Sequence, residues 1–278
     1  LTFHFRLMPD HPTPSASAGP APDTRQRRAQ IVELVQREGH QRVTDLAARF
    51  AVSAVTIRSD LALLENEGRL VRAHGGADAL PAANTLVTSL LRVDERAALH
   101  LEQKRRIGQA AASRVSPGDT VLLDAGTTSV EIARRLARVE PLTVVTNALN
   151  VALELGAAPA QRLILLGGAF HRESSSTVGP IAVQSLASLA VRTLFLGTQA
   201  FDAAHGLTDS TMEIAEAKRA MIRAASQVVL VTDSSKWGRT SLTRVAALDE
   251  IDVLITDDAF PADAREACAR AGVELVIA

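Results

Sequence analysis

Apolar positions between residues 24 and 80 recur at the spacing of three short helices. The stretch "TRQRRAQIVELVQREG" predicts a first helix that ends at Gly39. "VTDLAARF" predicts a short second helix with Thr44 as its cap. "AVS" then predicts a tight turn, and Ser53 is placed to cap a third helix that runs to about Glu67. This order of helix, short helix, turn and helix is that of a helix-turn-helix.

The third helix has one apolar and one small, polar face. Ile57, Leu61 and Leu64 share a side and are predicted to be buried. The opposite side carries small and hydroxyl side chains with Arg58 at its flank, a surface that fits a major groove and reaches phosphates and base edges. After it, "RLVRAHGG" alternates apolar and basic residues and predicts a short β-wing. A three-helix winged module with a merely solvated outer face is the alternative.

From Thr120 onward, strand-like apolar runs alternate with amphipathic helical stretches. Seven runs predict strands, namely "TVLLDAG", "LTVVTN", "RLILLGG", "TLFLGTQ", "QVVLVTD", "DVLITD" and "VELVIA". Continuous Val, Ile and Leu strands separated by helices predict a largely parallel sheet covered on both faces. Ligands of such sheets gather at the carboxyl ends of the strands.

Four of these strand ends are small and polar: Asp124–Ser129, Thr146–Asn147, Gly167–Gly168 and Asp233–Lys236. The first enters a helix, so its free amides and hydroxyls suit an anion. A phosphate would pair with these amides and with Lys236, and sugar hydroxyls would suit the carboxylates and Asn147. Taken alone, each of these strand ends is also explained as a turn or a helix cap without a ligand. Lys218 is likewise explained as a solvated residue on the surface of a helix.

Segments without periodicity divide the chain. The Pro-, Ser- and Ala-rich start predicts a disordered tail over residues 1–23, and "ADALPAANT" predicts a linker. We expect a DNA-binding domain over 24–78, a linker over 79–100 and an α/β domain over 101–278. A single helix over about 90–115 is expected to connect the ligand site to the first domain.

The composition changes this picture little. With 47% hydrophobic and 22% charged residues the chain is globular, and its formal net charge of −1 gives no sign of nucleic acid. The distribution is more informative, since residues 25–76 hold nine Arg against six acidic residues.

Several site classes are disfavoured. The single Cys268 rules out an internal disulfide framework, and the seven scattered His residues have no ligand spacing, so no metal is expected. Neither a GxGxxG after a strand nor a P-loop motif occurs, so no nucleotide cofactor is expected. No apolar run reaches the length of a membrane span and the start is not typical of a secretory signal, so we expect a cytoplasmic protein.

The span Arg27–Ala77 resembles the DNA-binding domain of the DeoR family of bacterial sugar-metabolism regulators, most specifically in "VTDLAARFAVSAVTIRSDLALLENEGRLVRAHGGA". Ser59 departs from the basic residue usual there. Asp60 is expected to interact with the helix N-terminus or to hold Arg58 or a wing arginine. The expected DNA-binding residues are Arg42, Ser53, Ala54, Val55, Thr56, Arg58, Ser59, Arg69, Arg72 and His74.

The resemblance continues to about residue 257 through "KRRIGQAAASRVSPGDTVLLDAGTTS", "FLGTQAFDAAHGLT" and "VTDSSKWG". It implies a domain similar to ribose-phosphate isomerases and CoA transferases, with a phosphorylated sugar or related intermediate as effector. Trp237 replaces a more usual Phe. By position, the implied effector-binding residues are Asp124, Gly126, Thr127, Thr128, Asn147, Lys218, Asp233, Ser235 and Lys236.

The leading hypothesis is a homo-oligomeric transcriptional regulator, a repressor of a carbohydrate-use operon, that binds double-stranded operator DNA under control of a phosphorylated sugar. The alternative is a sugar-phosphate isomerase-like enzyme with an appended DNA-binding module, in which Asp124 or Asp233 acts as general base and Lys236 stabilises an enediolate. A third, weaker alternative uses the winged module for protein contacts.

Overall fold

The computed structural model describes residues 24–66, 69–73, 75–78, 85–87, 93–97, 99–156, 158 and 161–278. The predicted tail over 1–23, His74 and much of the predicted linker lie outside these described residues. The described residues divide into two compact units, one up to residue 78 and one from residue 85 onward. Each unit is described by itself.

The first unit is a helix-turn-helix with a small sheet, as the sequence predicts. Its elements are α1 (Thr24–Glu38), β1 (Gln41–Arg42), α2 (Val43–Arg49), α3 (Ala54–Asn66), β2 (Val71–Ala73) and β3 (Gly76–Asp78). The strands form an antiparallel sheet in the order β1-β3-β2. The predicted inner face of α3, Ile57, Leu61 and Leu64, is buried against apolar residues of α1 and α2.

The predicted cap of α2 is wrong. Arg42, not Thr44, precedes the helix, and its side chain makes no cap hydrogen bond. Pairing of β1 with β3 holds Arg42 in extended backbone, so the helix begins immediately after the strand, at Val43. Thr44 then lies inside the first turn, where its hydroxyl donates to the Asp45 carboxylate at 3.2 Å.

The second unit is a mixed α/β domain. Its helices are α4 (Val93–Ala97), α5 (Leu101–Ala112), α6 (Thr127–Leu136), α7 (Leu149–Leu155), α8 (Pro180–Ala187), α9 (Met212–Ala224) and α10 (Ala262–Arg270), with 3-10 turns at Ser234–Lys236 and Leu248–Glu250. Its strands are β4 (Thr85–Val87), β5 (Thr120–Leu123), β6 (Leu142–Thr146), β7 (Gln161–Leu165), β8 (Ala169–His171), β9 (Ser176–Val178), β10 (Val191–Leu196), β11 (Ala200–Asp202), β12 (Gly206–Asp209), β13 (Ala225–Val231), β14 (Arg239–Ser241), β15 (Thr243–Ala246), β16 (Val253–Thr256) and β17 (Glu274–Ile277).

The seven predicted strands form one parallel sheet in the order β17-β16-β13-β10-β5-β6-β7. Alternate residues of each central strand enter two different apolar layers, for example Leu122 in one and Val121 and Leu123 in the other. Because successive side chains point to opposite faces, both faces are buried. The chain runs outward from β5 to β7 and then returns to β10, so the strand order reverses between β5 and β10.

Two features of this unit differ from the prediction. The expected single helix over 90–115 is wrong, because α4 and α5 are separated by a turn in which His100 adopts φ 50° and ψ 36°. The short strands β8, β9, β11, β12, β14 and β15 were not predicted, since each has only three or four residues and no continuous apolar run. Across the described residues, no helix has the length and apolar character that a membrane crossing requires.

Candidate functional site

The N-terminal end of α3 presents a small, polar surface. The Ser53 hydroxyl accepts a hydrogen bond from the Thr56 amide at 3.1 Å and lies 2.9 Å from the Thr56 hydroxyl, so Ser53 caps the helix. Val55 is 72% exposed, and Arg58 and Ser59 are also exposed. Ala54 and Thr56 are half-buried. This end of the helix therefore exposes the Val55 methyl groups, the Ser59 hydroxyl and the Arg58 guanidinium. It carries no large apolar side chain that would keep the helix out of a DNA major groove.

The expectation that Asp60 holds Arg58 or a wing arginine is wrong. Asp60 is 1% exposed, and its two carboxylate oxygens each lie 2.7 Å from a guanidinium of α1, those of Arg27 and Arg28. Asp60 therefore points to the inner side of α3 and ties this helix to α1. Its role is to position the exposed face of α3.

The other predicted DNA contacts lie on or beside the small sheet. Arg42, Arg69 and Arg72 are exposed. The Arg72 guanidinium is 3.8 Å from the Glu65 carboxylate, which also accepts the Arg72 amide at 3.0 Å. Glu65 thus orients this arginine while leaving part of it in solvent.

The second unit encloses a cavity at the carboxyl ends of β5, β6 and β13 and beside the end of β10. This is the point where the strand order reverses, the usual ligand position in open parallel sheets. Of the nine predicted effector residues, eight line it: Asp124, Gly126, Thr127, Thr128, Asn147, Lys218, Asp233 and Lys236.

The remaining predicted positions do not line the cavity. Ser235 lies beside it and its hydroxyl donates to the Asp233 carboxylate, so Ser235 fixes the aspartate. Gly167–Gly168 is absent from the wall because it follows β7, the edge strand. Trp237 packs edge-on against Phe201 and Phe260 at ring-centroid distances of 5.1 and 5.7 Å, so it fills space outside the cavity.

The start of α6 forms one wall of the cavity. Residues Ala125 to Ser129 all line it, and α6 begins at Thr127. The first amides of a helix have no intrahelical acceptor and carry partial positive charge. With the hydroxyls of Thr127 and Thr128, they form a wall suited to the oxygens of an anion.

Lys218 lies on α9 and is 6% exposed, so its interpretation as a solvated helix residue is wrong. Its ammonium lies 2.7 Å from the Asp209 carboxylate and 3.2 Å from that of Asp124, and it donates to the Gly197 carbonyl at 2.8 Å. Burial alone would lower the pKa of Lys218, but the two carboxylates outweigh it and raise the pKa. Burial raises the pKa of Asp124, with Asp209 adding to the effect.

Asp233 lies within a second set of charged and polar side chains. Burial opposes ionisation of its carboxyl, but Lys236, His100 and the Ser235 hydroxyl together lower its pKa. Burial lowers the pKa of Lys236 despite the attraction of Asp233. Burial also lowers the pKa of Lys104 to about 8. Two lysines whose charge is poorly solvated are ready partners for an anion that displaces the remaining water.

Several other residues of the wall do not follow a strand of the main sheet and were not predicted. Asp209 ends a short antiparallel strand outside the main sheet, and Lys104 lies on the inner face of α5, four residues after the turn at His100. The Lys104 ammonium donates to the Arg96 carbonyl at 2.6 Å and to the Leu99 carbonyl. The position of Lys104 beside an apolar helix face does not predict these contacts. The further polar residues of the wall are Arg96, His100, Ser174, Ser176, Thr198, Gln199 and Thr232.

Among the buried polar atoms of the wall, Nε2 of His100 and Oδ1 of Asn147 have no hydrogen-bond partner within the part of the chain that the structure describes. Buried polar groups are nearly always paired with protein or water, so these atoms point to a bound partner.

Comparison with known proteins agrees with both units. Residues 27–82 match the DeoR-like helix-turn-helix domain, and residues 99–258 match the DeoR C terminal sensor domain. The chain belongs to the DeoR family. It is accordingly a transcriptional regulator with a DNA-binding domain and a sensor domain, and not an enzyme.

Relatives in the DeoR family match over most of their length. A putative aga operon transcriptional repressor of Escherichia coli O157:H7 is 39% identical over 91% of this chain and 94% of its own. The glycerol-3-phosphate regulon repressor of Escherichia coli K12 is 32% identical over 84% and 90%. Among solved structures, ribose 5-phosphate isomerase A from Neisseria gonorrhoeae is partly similar, with 13% identity and a TM-score of 0.35 over 48% of this chain and 52% of that one.

Proposed function

We propose that the effector of this regulator is a phosphorylated sugar or a related phosphorylated polyol. The observation that carries the proposal is the composition of the cavity wall. The start of α6, Lys236 and Lys104 provide donors and positive charge for a phosphate, while Asp124 and Asp209 provide acceptors for hydroxyl groups. One molecule that carries both a phosphate and hydroxyls satisfies both sets.

The names of two relatives support the same ligand class, since one is a repressor of an aga operon and another of a glycerol-3-phosphate regulon. We infer that this chain likewise represses a carbohydrate-use operon in the cytoplasm. The exposed end of α3 enters a major groove of the operator, and Arg42, Arg69 and Arg72 contact the phosphate backbone. The chain acts as a homo-oligomer, because two linked modules on a repeated operator gain affinity through effective concentration.

Fluorescence anisotropy with the DNA upstream of the protein's own gene tests the proposal. At fixed salt we expect tight binding that at least one phosphorylated sugar from a panel changes tenfold or more, whereas the unphosphorylated sugar does not. Tight operator binding that no phosphorylated compound changes contradicts the effector class and leaves the DNA-binding role standing.

A variant separates the two roles. Lys236→Ala removes a half-buried lysine that lines the cavity of the second unit, so we expect it to abolish the response to the effector. Operator affinity in the absence of effector, which depends on the first unit, serves as its control for correct folding. Parallel loss of both properties contradicts the assignment of Lys236.

A further inference from the structure

The hairpin β8–β9 closes one side of the cavity with two serine hydroxyls. Ser174 and Ser176 line the cavity and are both buried. The hairpin is fixed to the end of β6, because the Thr177 amide donates to the Asn147 carbonyl at 2.8 Å. Neither serine belongs to the charged groups described above.

The orientation of the Asn147 side chain is set by this hairpin. Its Nδ2 donates to the Thr177 carbonyl at 2.9 Å. The reverse orientation would place two acceptors against each other, since an amide oxygen cannot donate. Oδ1 is consequently left buried without a hydrogen-bond partner among the described residues, on a side chain that lines the cavity and is only 3% exposed. A ligand group that donates a hydrogen bond would satisfy it.

A chain of hydrogen bonds sets the direction of the Ser176 hydroxyl as well. The Ser174 amide points to Nδ1 of His171 at 3.4 Å, and the Glu173 carboxylate lies 3.5 Å from Nε2, so the ring proton is on Nε2 and Nδ1 accepts. The Ser174 hydroxyl, 2.8 Å from Nδ1, donates to it. The Ser176 hydroxyl, 2.7 Å from that of Ser174, then donates to Ser174. The single proton of Ser176 is thereby used, and only its lone pairs remain for the cavity.

We propose that Asn147 and Ser176 form a subsite that accepts hydrogen bonds from hydroxyl or amino groups of the ligand. This inference rests on the proposed phosphorylated effector and specifies it: since one hydroxyl proton serves one acceptor, the sugar or polyol must carry a free donor facing each of the two. A ligand that is methylated, fluorinated or oxidised at either position leaves a buried acceptor unpaired and binds weakly. His171 and Ser174 are positioning residues, because they hold the Ser176 proton away from the ligand.

Isothermal titration of the full-length protein tests the subsite. The probes are ribose 5-phosphate, glucose 6-phosphate and glycerol 3-phosphate, and the tightest of them is compared with its monodeoxyfluoro analogues. Fluorine replaces a hydroxyl without being able to donate. We expect fluorine at one position to weaken binding at least tenfold in the unmodified protein, and at most threefold in Ser176→Ala, where an acceptor has been removed.

Ser174→Ala tests the relay. Without its partner, the Ser176 hydroxyl can rotate and donate into the cavity, so the penalty for fluorine falls while the hydroxyl ligand retains its affinity within about threefold. A purely structural role of Ser174 would weaken all analogues equally. The matched control is Ser188→Ala, at an exposed serine outside the cavity wall, and it keeps the full penalty.

The outcomes separate this inference from the proposed function. If no fluorine position costs more than threefold, or if both cavity variants keep the full penalty, the subsite is overturned although a phosphorylated ligand binds. If none of the three probes binds while operator affinity is retained, the effector class is overturned and the subsite with it.

Discussion

At the scale of the residue, Lys218 is a buried cation that pairs with two buried carboxylates, those of Asp124 and Asp209. One buried ammonium neutralises part of the charge of two buried carboxylates, and all three groups are nearly inaccessible to solvent. Burial of charge is tolerated only where charges are paired, so loss of this one cation leaves two like charges facing each other.

We therefore expect Lys218→Met to destabilise the second unit by about 3–5 kcal/mol at pH 7. The defect should shrink as the pH is lowered to 5, because burial and the neighbouring Asp209 raise the pKa of Asp124, and its protonation removes the repulsion. Urea unfolding at the two pH values measures both effects. Adding Asp209→Asn should restore part of the lost stability, and a double variant as unstable as the single one would contradict this pairing.

At the proposed effector site, Lys104 predicts that ligand affinity depends on pH. Its pKa of about 8 is the result of burial, and a bound anion should raise it. From pH 7 to 9 the ammonium loses its proton, so affinity for a phosphorylated ligand should fall as the pH rises. A phosphate monoester, with its second pKa at about 6, is already mostly doubly ionised at pH 7 and adds little slope of its own. Titrations at pH 7, 8 and 9 should show the decline in the native protein and a shallower one in Lys104→Gln, in which Lys236, whose pKa burial also lowers, remains; equal slopes would exclude Lys104.

On the DNA side, Arg58 is the exposed cation of the α3 surface. If it pairs with a base, Arg58→Ala should cost about 1–3 kcal/mol of operator binding and relax the preference at one base pair. Arg270→Ala removes the same charge from an exposed position of α10 and is the matched control. Anisotropy at fixed salt compares the two, and equal affinities would exclude a base contact by Arg58.

At the scale of the element, the relation of α1 to α3 depends on Asp60. Arg27 is only 7% exposed, so removal of the Asp60 carboxylate leaves a buried guanidinium without its counter-charge between the two helices. We expect Asp60→Ala to destabilise the first unit by about 3–5 kcal/mol, while Glu33→Ala, which breaks an exposed pair with Arg37, should change stability by less than about 1 kcal/mol. Amide hydrogen exchange resolves the two units, and loss of protection in both units alike would contradict a local role.

The elements themselves show what could be predicted from the sequence. All seven sheet strands were predicted, because each is a continuous run of Val, Ile and Leu that two apolar layers require. The inner face of α3 was predicted from its spacing alone. The break at His100 was not, since a non-glycine residue with positive φ has no signature in an otherwise helical pattern.

The cavity shows the limit of such prediction. Asp124, Asn147 and Asp233 were found because parallel strands deliver their carboxyl ends to one edge, a rule that needs no side-chain detail. Asp209, Lys104 and the two serines come from a short antiparallel strand, a helix face and a hairpin. These residues reach the cavity only through tertiary packing, which cannot be predicted from a local sequence pattern. The misassigned partners of Asp60 have the same cause, because the competing arginines of α1 lie more than thirty residues away in sequence.

At the scale of the whole molecule, the proposed function makes the chain a switch that binds two ligands, operator DNA and the effector. An effector that binds one arrangement of the chain more tightly than another shifts the DNA affinity by the ratio of its affinities for the two. Thermodynamic linkage makes this reciprocal, so operator DNA must change the affinity for the effector by the same factor.

The most direct test of the central claim is therefore the affinity for the effector with and without operator DNA. Isothermal titration would use the phosphorylated compound that most changes operator binding, on the free protein and on the protein saturated with operator. We predict two dissociation constants whose ratio equals the change that this compound causes in operator affinity, tenfold or more. Equal dissociation constants would show that the cavity and the DNA-binding surface are uncoupled, and would contradict the account.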